Sequence, residues 1–275
     1  MSRRPVIAAA TLALCGFGAV ACGGAAGAGT SSEAAAPLRV SKEGPAHTAS
    51  EAAAPAKPLT GKVIVIDPGH NGGNYKHPEI INKQVNVLTK WKACDTTGTA
   101  TNDGYSEAAF NWDVSRRLTK ILRARGATVK LTRSNNTGVG PCITQRAAIG
   151  NAAKADAAIS IHADGAATGS HGFHVIMPKK INGPVDPVVA ESRRLGITVR
   201  NAMHSGTGMA YSTYIGSKAL DYRSDLGGLN LSEVPKIFIE SGNMRNAGDA
   251  AKLKSAAWRQ KLAESLAKGL QTYLK

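Results

Sequence analysis

The alternation of short apolar runs with helical patterns constrains the fold of this chain more than any other feature of its sequence. Apolar runs that suit buried strands occupy residues 62–66, 128–132, 157–161, 172–177 and 236–239. Apolar residues at helical spacing predict helices over 106–125, 145–155 and 187–204, and a last helix with Leu262, Leu266, Leu270 and Leu274 on one stripe. Strands and helices in alternation form parallel sheets. The sequence therefore predicts a single α/β domain, a mostly parallel twisted sheet flanked by helices on both faces.

Two irregular segments interrupt this alternation. Residues 71–105 are long for a connection between a strand and a helix, so they form either a flap beside a substrate or a loose insertion. Residues 205–235 contain GTG and GG pairs, and they could line a cleft.

The N-terminal part of the chain has the composition of an export segment. Residues 1–21 begin with Arg3 and Arg4, continue through a short apolar stretch and end in Ala-Val-Ala, which is typical of a signal peptide and too short to span a membrane. Residues 22–59 are rich in Ala, Gly and Pro and predict a disordered spacer. The folded domain is expected over 60–275, in a protein that is exported to the periplasm, the cell envelope or the medium.

The cysteines support an oxidising location. Cys22 directly follows the predicted cleavage point, so a lipid anchor at this residue is an alternative to free secretion. Cys94 and Cys142 remain in the folded domain, and we predict that they form a disulfide worth at most about 4 kcal/mol. A zinc site is disfavoured for these two residues, because neither has a second cysteine close by in sequence.

The charge of the chain indicates anionic partners outside the cytoplasm. The formal net charge is +15, and aromatic residues make up only 5% of the chain. Wall polymers, peptide carboxylates and anionic headgroups are the polyanions that an exported protein meets. We expect no nucleic-acid partner, since no base-stacking platform is apparent, and we expect a monomer.

Four residues with catalytic chemistry stand near the ends of predicted elements. His70 and His162 each follow a strand, Glu107 lies in the first turn of a helix, and Glu240 follows the strand KIFI. The carboxyl ends of parallel strands meet at one edge of a sheet, where ligands bind. Two imidazoles and a carboxylate are a common ligand set for one catalytic Zn²⁺. The sequence predicts that His70, Glu107 and His162 bind zinc and that Glu240 acts as a general base on water.

The other histidines give no comparable signal. His171 and His174 are three residues apart on a predicted strand, which places them on opposite faces and disfavours a shared metal. His47, His77 and His204 occupy positions without an argument for a site.

The order of several motifs resembles that of the zinc-dependent N-acetylmuramoyl-L-alanine amidases of bacterial cell walls. The motifs, in chain order, are IDPGH, YSEAAFN, VKLTR, QRAAIGN, SIHAD and PKIFIESGNMRN. The resemblance covers residues 62–275 and implies the same metal ligands, His70, Glu107 and His162, with Glu240 as the catalytic carboxylate. It also implies hydrolysis of the amide between N-acetylmuramic acid and L-alanine in peptidoglycan or in muropeptide fragments.

Some residues depart from the family pattern or have open roles. Asp164 stands where the family commonly has Asn, and the polar Ser241 and Asn243 follow the catalytic carboxylate where Leu and Phe are usual. Asp67 and Asp164 are candidates for orienting the ligand histidines, although Asp67 could instead only stabilise the Pro-Gly turn. Arg133 could bind a carboxylate of the stem peptide or be merely solvated.

Two alternative functions remain open at this point. One is a zinc peptidase that cuts within the stem peptide. The other is a non-catalytic module that binds the cell wall, for which the loss of a metal ligand or of Glu240 would be the expected mark. Neither loss is present in this sequence.

Overall fold

The computed structural model describes residues 56–275. The predicted signal peptide, Cys22 and most of the spacer lie outside these residues, so they stay predictions. Leu59 is fully buried in the main core, which means that the packed chain begins just before the predicted domain start.

A six-stranded sheet forms the centre of the domain, in the order β4-β1-β5-β8-β6-β7. The strands are β1 Val63–Pro68, β4 Thr128–Leu131, β5 Ala157–Asp164, β6 His174–Pro178, β7 Leu220–Arg223 and β8 Lys236–Asn243. Neighbouring strands run parallel, with the exception of β6 against β8. The predicted mostly parallel sheet is confirmed.

Helices cover both faces of the sheet, as predicted. They are α1 Pro78–Ile81, α2 Glu107–Ala124, α3 Ile143–Ala152, α4 Val189–Thr207, α5 Gly227–Asn230, α6 Ala247–Lys254 and α7 Ala256–Leu274. Ile64 and Ile66 point into the large core with the apolar stripes of α2, α4 and α7. Val65 points the other way, into a small cluster that includes Ile149 of α3. Successive residues of a strand face opposite sides, so one apolar run serves two cores.

The long connection after β1 is folded and anchored. It contains α1 and a hairpin of β2 Gln84–Asn86 and β3 Trp91–Ala93. Cys94 and Cys142 form the predicted disulfide, with their Cα atoms 4.5 Å apart. This bond ties the connection to the residue that precedes α3, so the connection is not a loose insertion. Within residues 56–275, no helix combines the length and apolar character that a membrane crossing requires.

Candidate active site

The carboxyl edge of the sheet collects the residues that the sequence singles out. His70 follows β1 closely, and His162 and Glu240 lie in β5 and β8 as directly paired neighbours. Both strands are longer than predicted, because their ladder continues through His162 and Glu240 into polar sequence. The two side chains therefore stand side by side on the same face of the sheet.

His70, Glu107 and His162 form one compact group. Glu107 Oε1 lies 3.2 Å from His70 Nε2 and 2.9 Å from His162 Nδ1. One donor atom from each of the three residues lies within 4.8 Å of the others, the only such group of three or more among residues 56–275. Two imidazole nitrogens and a carboxylate oxygen at these separations are a donor set that Zn²⁺ accepts.

Glu107 is held by the start of α2. Ser106 caps this helix by accepting a hydrogen bond from the Ala109 N–H at 3.3 Å, so Glu107 is the first helical residue. The Thr99 N–H donates to Glu107 Oε2 at 2.9 Å, which leaves Oε1 toward the histidines. Burial opposes ionisation of Glu107, but the charge of His70 and the hydrogen bonds from both imidazoles hold its pKa well below the usual range.

His70 is fixed in a strained conformation by its outer nitrogen. Its φ of 56° lies in the left-handed region, which non-glycine residues adopt at a cost. Its Nδ1–H donates to Asp95 Oδ1 at 3.1 Å, so Nε2 faces Glu107. Burial disfavours the protonated imidazole, but Glu107 and Asp95 outweigh this effect and raise its pKa to about 10. The site therefore stabilises a positive charge strongly, as a cation-binding centre must.

His162 is oriented through a serine. Its Nε2 lies 3.1 Å from Ser160 Oγ, which in turn donates to Asp67 Oδ2 at 3.1 Å. Of the two roles open for Asp67, direct orientation of a histidine is not observed, because the Ser160 hydroxyl stands between Asp67 and His162. Gly69 packs so closely that a Cβ on it would lie 2.1 Å from His162 Cε1. Only glycine leaves room for the imidazole at this turn.

Arg146 connects the supports of both histidines. It is 4% exposed, and its guanidinium donates to Asp67 Oδ1 at 2.9 Å and to Asp95 Oδ2 at 3.0 Å. It also donates to the carbonyls of Pro68 at 2.7 Å and His70 at 3.0 Å, which fixes the turn after β1. One buried cation thus holds the two carboxylates that lie behind the imidazoles.

Asp67 is the most strongly paired acid of this network. Lys236 Nζ lies 3.0 Å from Asp67 Oδ2, and Thr132 Oγ1 donates to Asp67 Oδ1 at 2.7 Å. Burial raises the pKa of Asp67, but the charges of Lys236 and Arg146 outweigh burial and hold it far below the usual range. Asp67 therefore stays ionised.

The roles expected for Asp164 and Arg133 are not those that the structure gives. Asp164 Oδ2 accepts from the Tyr214 hydroxyl at 3.1 Å, and among residues 56–275 it has no hydrogen bond to a histidine. Arg133 is buried and donates to the carbonyls of Pro68 at 2.9 Å and Ala108 at 3.1 Å. Its guanidinium stabilises the turn and is not available to a carboxylate of a substrate.

Glu240 differs from the three grouped residues. Its Oε2 is buried and has no hydrogen-bond partner among residues 56–275. Burial raises the pKa of its carboxyl well above the usual range, and the charges of Glu107 and Asp164 add to this effect. A carboxyl of raised pKa beside a cation site suits proton transfer better than metal binding.

A cavity of about 160 Å³ adjoins His70 and His162. Both irregular segments border it, since Lys92 and Thr96 come from the first and Leu226 from the second, which confirms the prediction that 205–235 could line a cleft. Its apolar wall includes Ile143 and Phe238. The ring of Phe238 also stacks on His162, with centroids 5.2 Å apart.

The remaining histidines of the described part lie outside this group. His77 bonds to Glu79, His204 bonds to the Met209 carbonyl, and His171 is exposed. His174 is buried at the start of β6 and pairs directly with Glu240 across the sheet.

Comparisons with known proteins agree with this geometry. A family model described as N-acetylmuramoyl-L-alanine amidase matches residues 64–272. The chain is 38% identical over 226 residues to the amidase Rv3717 of Mycobacterium tuberculosis, which covers 82% of this chain and 91% of that protein. The crystal structure of the amidase Ami1 from Mycobacterium smegmatis matches with 36% identity and a TM-score of 0.74, covering 78% of this chain and 98% of that one. The apo form of Ami1 from Mycobacterium abscessus matches with 41% identity and a TM-score of 0.74, covering 79% and 100%. With its family matched over most of its length, the chain belongs to the N-acetylmuramoyl-L-alanine amidases.

Proposed function

We propose that this protein is a zinc-dependent amidase that hydrolyses the bond between N-acetylmuramic acid and L-alanine of the peptidoglycan stem peptide. The single observation that supports the metal is the grouping of His70, Glu107 and His162, whose donor atoms lie within 4.8 Å of one another. The position of Glu240 beside His162 in the sheet supports its role as the catalytic carboxylate.

One Zn²⁺ would be held by His70 Nε2, Glu107 Oε1 and His162 Nδ1. Zinc, when bound there, supplies Lewis acidity toward the scissile carbonyl and toward water. Asp95 and Ser160 hold the outer nitrogens of the two imidazoles, so the inner nitrogens would face the ion and bind it on losing the protons that they share with Glu107.

Glu240 would carry the proton. In this proposal its carboxylate accepts a proton from the attacking water and gives it to the nitrogen of L-alanine as the amide bond breaks. A raised pKa favours the second step, because the carboxyl then holds the proton until the amine leaves.

The proposed substrate is a component of the cell envelope. We propose that the protein is exported and acts on peptidoglycan or on muropeptide fragments, in line with the amidases that it resembles and with its predicted signal peptide. The formal charge of +15 favours residence near anionic wall polymers.

Product analysis tests this proposal. Purified protein is incubated with muropeptides, and the products are identified by mass spectrometry together with the zinc content of the protein. An amidase releases stem peptides with an intact N-terminal L-alanine, whereas a peptidase within the stem releases D-alanine and a binding module releases nothing.

Two variants assign the roles of the residues. Glu240→Gln should retain zinc and lose turnover, and His162→Ala should lose both. His171→Ala, which changes an exposed histidine, is the matched control and should retain both. Full turnover in Glu240→Gln would remove Glu240 from the mechanism.

A further inference from the structure

Three side chains form a row across the middle of the sheet. The ladder of β5 and β8 pairs His162 with Glu240, and the ladder of β8 and β6 pairs Glu240 with His174. Directly paired residues of an antiparallel ladder have their Cβ atoms about 4.5–5.5 Å apart on one face. Glu240 therefore lies between two imidazoles, and only that of His162 belongs to the candidate metal group.

Glu240 and His174 each contain one unpaired polar atom. Glu240 Oε2 and His174 Nδ1 are both buried, and neither has a hydrogen-bond partner among residues 56–275. Each unpaired buried polar group destabilises the fold, because it has lost its hydrogen bonds to water without a replacement. Since the two atoms belong to directly paired residues, a bond between them, direct or through one trapped water, removes both penalties.

The imidazole of His174 is buried and packs against an aromatic ring. The ring of Tyr214 packs edge-on against it, with centroids 6.0 Å apart, and the Tyr214 hydroxyl donates to Asp164 Oδ2 at 3.1 Å. His174 is 1% exposed, and burial lowers its pKa. The ring is therefore neutral, with one N–H to donate.

We infer that His174 is a positioning residue for Glu240, with its Nδ1–H donating to Oε2 directly or through one water. This bond fixes the carboxylate and leaves its second oxygen for the reacting groups. A base held by a third group is a common arrangement in enzymes that activate a nucleophile. The inference rests on the role proposed for Glu240.

Side-chain geometry gives a sharp test. The amide nitrogen of Asn lies near the position of His Nδ1, whereas that of Gln lies near His Nε2. We would compare His174→Asn, His174→Gln and His174→Leu in the full chain, with His171→Leu as the exposed control, and measure kcat, KM, zinc content and Tm.

We expect His174→Leu and His174→Gln to lose about 100-fold in kcat, the scale of a misplaced catalytic group, with KM and zinc content little changed. His174→Asn should recover most of the native kcat. Equal activity in Asn and Leu variants would overturn the inference, because a donor at the Nδ1 position would then have no effect. Loss of zinc in His174→Leu would overturn it as well, since the effect would act through the metal.

A double substitution keeps the inference testable if the Leu variant is unstable, and it separates this inference from the proposed function. In a Glu240→Gln background, His174→Asn and His174→Gln should have equal residual rates, because the carboxylate that they would position is absent. Residual rates that still differ by the same factor as in the native background would show that His174 acts independently of Glu240. Full turnover of Glu240→Gln alone would remove Glu240 from the proposed mechanism and this inference with it, whereas the absence of stem peptides among the native products would refute the proposed function.

Discussion

Replacement of Arg146 by methionine should weaken the domain and the candidate metal site together. The native guanidinium is 4% exposed and donates to two carboxylates, those of Asp67 and Asp95, at 2.9 and 3.0 Å. Removal of one partner of a buried ion pair costs about 3–5 kcal/mol, because the other charge stays buried. Asp67 keeps Lys236 as a partner at 3.0 Å, whereas Asp95 keeps only His70 as a charged partner in the described part of the chain.

The size of the expected loss of stability in Arg146→Met decides which assays are informative. A loss of about 3–5 kcal/mol is a large part of the 5–15 kcal/mol that folds a typical domain, so the variant should still fold but unfold at clearly lower urea. Because Asp95 orients His70, zinc affinity should fall by about 10–100-fold, as it does when outer partners of metal ligands are removed. Urea unfolding of the zinc-free protein and competition with a chelator measure the two effects separately.

Two further variants control this experiment. Arg146→Lys keeps the charge, but one ammonium cannot reach both carboxylates and the carbonyls, so we expect only partial recovery. Arg117→Met removes a partly exposed pair with Asp113 and should cost less than about 1 kcal/mol. A stability loss in Arg146→Met no larger than in Arg117→Met, or an unchanged zinc affinity, would refute the reasoning.

Three other perturbations follow from the same network. Gly69→Ala should displace the His162 imidazole and reduce zinc affinity, because a Cβ at this position would lie 2.1 Å from His162 Cε1. The control is Gly169→Ala, whose added Cβ meets nothing within 4 Å, so this variant should have the native zinc affinity. Reduction of the Cys94–Cys142 disulfide, which spans 48 residues, should lower the free energy of unfolding by at most about 4 kcal/mol, and an unchanged Tm in reductant would contradict this. The pKa of Asp67 is lowered by folding, so its contribution to stability is complete above the unfolded pKa of about 3.9 and is lost as pH falls below it. Asp67→Asn should flatten the decline of stability in acid, and an unchanged slope in urea unfolding from pH 5 to pH 2 would count against this role.

The sequence predicted the elements whose apolar pattern is long and regular. The predicted strands and the helix over 106–125 agree with the structure to within a few residues, since their spacing matches buried faces. The short elements β2, β3, β7 and α5 were not predicted, because three or four residues carry too little periodicity. The extension of β8 to Asn243 was missed for a related reason: the ladder continues where the apolar pattern stops.

Residues that support the site from a distance in sequence were also missed. Asp95 lies in the middle of the irregular segment 71–105, and only the disulfide of its neighbour Cys94 gave a hint that this region is anchored. Ser160 stands in a buried strand where a small polar residue is unremarkable. The sequence left two roles open for Asp67 and two for Arg133, and the structure places both residues behind the site, where Asp67 contacts Ser160 and Arg133 contacts backbone carbonyls.

The position of His174 shows why the direction of one strand can decide which residues reach a site. In an all-parallel sheet, a residue at the start of a strand lies at the amino edge, far from the carboxyl ends that carry His162 and Glu240. Because β6 runs antiparallel to β8, its first residue lies at the carboxyl edge, directly opposite Glu240. In the sequence, the spacing of His174 relates it only to His171. That spacing does not indicate the pairing of His174 with Glu240. The His174 substitutions therefore also test whether the antiparallel pairing of β6 with β8 contributes to catalysis or only extends the sheet.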